Sequence, residues 1–248
     1  MIKEKRRRKR RFKKILLAIL SFILFLGIAA LIVVKVFVVE KVEVSGNKLY
    51  DESVIKDTLL EDEYSWNSLY VYFKYLFADT SNIPFVDTVE VTLEDPHTLH
   101  IEVYEKGMVG YLYIPGIDEN AYFDKDGIVI ETSSRVIENV PKIEGVTCDE
   151  VVLYEKLPIS KEILQQILQL SQALKREKMV PESIVYGEPD EPVLDYGDVW
   201  VSLGDLELLT QKVERMAKIM PSLENQHGIL HLEDWTEEST NIRFEIIE

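Results

Sequence analysis

Apolar residues run unbroken from Ile15 to Val34, ILLAILSFILFLGIAALIVV, 20 residues without a charge. A helix rises about 1.5 Å per residue, so such a stretch spans roughly 30 Å, the thickness of a bilayer's hydrocarbon core. Beyond it the pattern breaks into short segments. From Lys35 to Ser45 the chain reads as a strand, with alternation from Val42 onward, and Ser45-Gly46-Asn47 as a turn. Asp51 is placed to cap a helix through Leu60, with Val54, Ile55 and Leu59 on one face. A second helix is predicted from about Trp66 to Phe77, its stripe formed by Trp66, Leu69, Tyr70, Phe73 and Phe77. Strands follow at Phe85–Leu93 and Leu99–Val103 around an Asp95-Pro96-His97 turn. The order through Glu105 is β-α-α-β-β.

A second region begins near Lys106. Gly110–Ile114, Asn120–Phe123 and Ile128–Ile130 are strand-like, with Asp124–Gly127 as a hairpin turn. Ser160 to Lys178 is an amphipathic helix with Ser160 as its cap, and Ile163, Leu164, Ile167, Leu168, Leu170 and Leu174 as its stripe. Strands are predicted at Ser183–Tyr186, Pro192–Asp195 and Val199–Leu203. Asp205 is placed to cap a helix to Met220, stopped at Pro221, and strands at Gly228–Leu232 and Asn241–Ile247 close the chain. The fold class is α+β behind one apolar span.

Charge gives the span a direction. Met1–Lys14 holds ten Lys or Arg and one acid, Glu4, whereas residues 38–248 carry 17 of the 28 basic and 43 of the 44 acidic residues. The positive-inside rule puts the basic tail, 1–14, in the cytoplasm and the acidic bulk outside, with 15–37 as the membrane segment. Length favours a retained anchor over a cleaved signal, whose apolar core is shorter. Beside a membrane span the basic run suits anionic lipid better than nucleic acid, and the acidic remainder would repel phosphates. A single cysteine, Cys148, makes no intrachain disulfide and reads as a structural thiol.

The order of these segments resembles the FtsQ/DivIB family of bacterial division proteins over most of the chain. Val39–Leu59, VEKVEVSGNKLYDESVIKDTL, is similar to the opening of a POTRA domain, and Pro84–Lys106 to its closing hairpin. Tyr122–Ile130, YFDKDGIVI, resembles the start of the family's β domain, and Val201–Met220 its last strand-Gly-helix element. The chain departs from the family where Glu105-Lys106 is followed by Gly107 rather than Pro. The resemblance implies a POTRA domain at 38–106, a larger α+β domain at 107–248, and a non-enzymatic scaffold at the division septum. It would bind two bitopic partners of the FtsL and FtsB/DivIC type, touch septal peptidoglycan synthases, and need no cofactor.

Motifs for other chemistry are incomplete. Ser53-Val-Ile-Lys56 matches the Ser-x-x-Lys of penicillin-binding enzymes without their companion elements. Asp124-x-Asp126-Gly127 is better explained as a turn than as a calcium loop. His97, His100, His227 and His231 lack a third metal ligand in sequence range. A membrane-anchored hydrolase or transpeptidase, and a ligand-binding sensor, are the alternative classes. The candidate partner surface is the last strand, Asn241, Ile242, Arg243, Phe244, Glu245 and Ile246, as a sheet edge, with Leu206 on the preceding helix. Helical phase also offers Tyr72 and Tyr75 as exposed contacts, opposite the Trp66–Phe73–Phe77 stripe.

Overall fold

The computed structural model describes residues 2–77, 83–187, 191–239 and 241–247. The protein is a mixed α+β chain in which one apolar N-terminal helix precedes sheet-rich structure. Helix α1 (Ile2–Val36) continues through the basic tail, and its Phe12–Val36 stretch has a mean hydropathy of 3.1. That stretch is long and apolar enough to cross a membrane, and no part of its apolar window is buried in the protein. An apolar surface of that size needs a non-aqueous neighbour. Strand β1 (Lys41–Ser45) starts only after residues 37–40, so the strand predicted from Lys35 is shorter by its first part, of which Lys35 and Val36 remain helical.

The chain divides between Glu105 and Lys106. In the first unit, α2 (Glu52–Leu59) and α3 (Ser68–Phe77) separate β1 from β2 (Val86–Asp95) and β3 (Thr98–Glu105). The sheet order is β1-β3-β2, with β1 parallel and β2 antiparallel to β3. This register brings Val89 opposite Val103 and Val91 opposite Ile101, and seats Ile101 beside Val44. These side chains and Leu99 pack with Ile55 and Leu59 of α2 and Val71 of α3. Gly46 has φ +79°, and a Cβ there would meet the Val103 carbonyl oxygen at 2.3 Å. The turn therefore needs glycine for both conformation and space. Asp51 sits at the α2 N-cap but makes no side-chain cap bond.

The second unit is one sheet of nine strands among the described residues. They are β4 (Met108–Ile114), β5 (Glu119–Asp124), β6 (Val129–Ser133), β7 (Lys142–Glu144), β8 (Ser183–Tyr186), β9 (Pro192–Asp195), β10 (Val199–Ser202), β11 (Gly228–His231) and β12 (Arg243–Ile246). Their order across the sheet is β12-β11-β10-β9-β8-β7-β4-β5-β6. Helices α4 (Lys161–Arg176) and α5 (Leu209–Ile219) bring Leu164, Ile167, Leu170, Leu174, Val213 and Met216 into one core with Leu112, Phe123, Ile184, Leu194, Val201 and Leu230 of the strands. Each fully buried aliphatic side chain contributes roughly 1.5–3 kcal/mol. Ser160 caps α4 as expected, its hydroxyl accepting from the Ile163 N–H at 3.2 Å.

Candidate partner-binding site

Strand β12 is the outermost strand at one side of the sheet. It pairs antiparallel with β11, Ile229 opposite Glu245 and His231 opposite Arg243. The Ile247 N–H donates to the His227 carbonyl at 3.0 Å. Backbone groups alternate in direction along an antiparallel strand. Glu245 and Arg243 thus also face β11, while the N–H and C=O of Phe244 and Ile246 face outward. No described strand pairs with that outer edge. Ile242 and Phe244 pack against the core, whereas Asn241, Arg243, Glu245 and Ile246 are exposed. The close β11–β12 approach depends on Gly228: a Cβ there would lie 2.1 Å from the Glu245 carbonyl oxygen.

Polar side chains cluster on the face opposite the core. Arg243 Nη2 donates to His231 Nε2 at 2.9 Å and to Glu245 Oε2 at 3.2 Å. A guanidinium only donates, so Nε2 is the acceptor and His231 Nδ1 carries the proton that goes to Glu233 Oε1, 2.6 Å away. A hollow of about 220 Å³ lies between His231, Glu233, Trp235, Asn241, Ile242 and Arg243. The Trp235 Nε1 atom is buried without an acceptor among the described residues.

Burial raises the Glu233 carboxyl, but hydrogen bonds from its own backbone N–H, His231 and Ser202 outweigh it, and its pKa lies below the ordinary value of 4.5. A carboxylate depressed by folding contributes stability that is complete above its unfolded pKa and is lost as pH falls through the folded value. Thermal melts from pH 6 down to 3 are therefore expected to show an acid loss from about pH 5 downward that is smaller in Glu233→Gln. Equal losses in both proteins would remove Glu233 from the cause.

Three residues of the predicted surface sit differently from expectation. Leu206 is half-buried in the turn before α5, not on the helix, which starts at Leu209. Asp205 does not cap α5; its carboxylate accepts from the Glu207 N–H and from Lys212 Nζ. The phase of α3 is reversed: Ser68 and Val71 face the sheet, and Trp66, Tyr70, Phe73 and Phe77 are exposed. Tyr75 is half-buried against the core, and its hydroxyl donates to the Leu59 carbonyl at 2.7 Å. It is a packing residue rather than a free contact. Tyr72 is half-buried with its ring edge-on to Phe73 at 5.3 Å.

The other chemical candidates resolve locally. Ser53 is exposed on α2, and Lys56 pairs with Glu52 at 3.0 Å. The Asp124 carboxylate accepts from the N–H groups of Asp126 and Ile128, both at 2.9 Å, which is turn geometry. Cys148 is buried, and burial pushes its thiol pKa up, away from thiolate chemistry. His100 has neighbours that local sequence spacing did not offer: Glu43 and Glu94 approach its Nδ1 at 3.9 and 4.0 Å. Glu43 also pairs with Lys41, and His100 Nε2 meets Ser45 Oγ at 3.1 Å. A wider hollow of about 600 Å³ in the second unit is lined by Tyr111, Val136 and Pro181 among Lys142, Glu144, Glu182 and Asp195. No model of a known protein family matches the chain, and no curated protein matches it significantly.

Proposed function

We propose that this chain is a bitopic, non-enzymatic scaffold of the bacterial division machinery, of FtsQ/DivIB type. It binds FtsL- and FtsB/DivIC-like partners on its extracytoplasmic side and helps regulate septal peptidoglycan synthesis. The observation that carries the reading is the unpaired outer edge of β12. Outward N–H and C=O groups at Phe244 and Ile246 form a template to which an extended segment adds as a further strand. Arg243 and Glu245 beside the edge supply charge for register. The β-α-α-β-β order of the first unit and its β1-β3-β2 sheet support a POTRA-like module. The basic tail and the acidic remainder support an N-in orientation. Catalysis then belongs to the synthases the scaffold recruits.

The test is depletion in the source bacterium together with imaging of a fluorescent fusion. Signal gathered at the septum and filamentation on depletion are expected. Diffuse membrane signal with normal septation would overturn the division reading.

A further inference from the structure

The exposed aromatic residues of the first unit are joined to the end of the membrane-length helix by one buried amide. Asn67 Nδ2 donates to the Val33 carbonyl at 2.8 Å, one of the four carbonyls the end of α1 leaves without a helical partner. Its Oδ1 accepts from the Tyr70 N–H at 2.9 Å, capping the start of α3. Two further bonds reinforce the join: Val39 N–H to the Trp66 carbonyl at 2.9 Å, and Ser68 N–H to the Phe37 carbonyl at 3.2 Å. Residues 66–68 are thereby held at the level of residues 33–39, where the apolar span ends.

The exposed side chains around this join and along α3 are aromatic. Trp66 is 46% exposed, Phe73 48% and Phe77 82%, with Tyr64, Tyr70 and Leu76 also exposed. Tyr64 and Tyr70 stand 5.6 Å apart, centroid to centroid. Lys74 of α3 is paired with Asp62 at 2.6 Å, while Glu61 and Glu63 are exposed to water. Water is a poor solvent for such a face. Tryptophan and tyrosine favour the bilayer interface, where the ring meets acyl chains and the N–H or O–H stays wet.

We infer that this face, centred on Trp66 and Tyr70 and continued by Phe73 and Phe77, inserts into the headgroup–acyl boundary of the leaflet that α1 leaves. The occupant is lipid because the face is tied by hydrogen bonds to the last turn of the span itself. The inference rests on α1 crossing the bilayer, not on the division role. It gives the first unit a second attachment, so that the unit is fixed in rotation as well as in height.

The test uses the full-length chain reconstituted in phosphatidylcholine/phosphatidylglycerol vesicles, with brominated phosphatidylcholine as the quencher. Quenching of tryptophan emission is expected to be greater in the wild type than in Trp66→Phe, whose emission comes from Trp200 and Trp235. The triple variant Tyr70→Ser/Phe73→Ser/Phe77→Ser, checked for an unchanged circular dichroism spectrum, should lose most of the quenching and shift Trp66 emission to longer wavelength. Full quenching in the triple variant would overturn the extended face. An unquenched wild type that resists carbonate extraction would overturn the insertion while leaving the span intact, which is also the outcome if a partner protein is the true cover. Release by carbonate would overturn the span, and the insertion with it.

Discussion

Ile246→Pro is expected to weaken capture of the proposed partner pair at least tenfold while leaving the second unit folded. The Ile246 N–H points away from β11, so proline removes a donor that the native ladder does not use. For an added strand the same change removes one hydrogen bond and leaves a partner carbonyl without its donor. The bond contributes about 1 kcal/mol and the orphaned carbonyl costs about 1–3 kcal/mol, and about 1.4 kcal/mol is already tenfold in affinity. Glu245→Pro is the contrasting variant. Its N–H faces β11, so proline removes a ladder hydrogen bond and orphans the Ile229 carbonyl, which should loosen β12 from the sheet and lower stability by about 1–3 kcal/mol. Binding to the reconstituted FtsL/DivIC-type pair, with thermal melts of the same full-length proteins, separates the two effects. Wild-type affinity for Ile246→Pro would show that the partner does not dock along this edge.

The existence of β12 is legible in the sequence, because Ile242, Phe244 and Ile246 alternate with Asn241, Arg243 and Glu245. Its position at an edge, expected for a last strand, is not decided by the alternation itself. That depends on a sheet order in which β11 lies parallel to β10 and the last strand turns back outside it, and alternation carries no information about neighbours. The same limit hides the His100 cluster, whose contact with Ser45 joins residues 55 apart through the β1–β3 pairing. Strands β8 and β9 match their predicted bounds because each is a short alternating run bounded by turn residues, such as Tyr196-Gly197-Asp198 after β9. Helix α3 has its faces exchanged relative to the pattern. Its aromatic stripe reads as a core face, but Ser68 and Val71 face the sheet. Hydrophobic periodicity identifies a stripe without saying whether protein or lipid covers it. The Asp205 cap fails for a different reason: its side chain is engaged with Lys212.

Lys212→Met is expected to lower the stability of the second unit by roughly 2–4 kcal/mol, the range for removing a charged donor from buried acceptors. Lys212 is 1% exposed, on the same face of α5 as Val213 and Met216. Its position one helical turn before Met216 is a visible sign that the apolar stripe contains a cation. All three ammonium donors are used, on the Leu203 carbonyl at 2.8 Å, the Asp205 carbonyl at 3.0 Å and the Asp205 carboxylate at 3.2 Å. Methionine keeps the length of the apolar stem, so the change isolates the donors. The Asp205 side chain is 63% exposed and still solvated, so Asp205→Ala should cost less than about 1 kcal/mol. Thermal or urea unfolding of the two variants discriminates a clamp on carbonyls from a simple ion pair; equal losses would favour the ion pair. The clamp also bears on the binding face. It fixes the residues on both sides of Gly204, where an added Cβ would lie 2.8 Å from the Glu233 Cβ. Glu233 in turn holds His231, and His231 meets Arg243 on β12. Loosening the loop after β10 is therefore expected to reach the outer edge of β12, and Lys212→Met should reduce affinity for the proposed partner pair below its melting temperature, where Asp205→Ala does not.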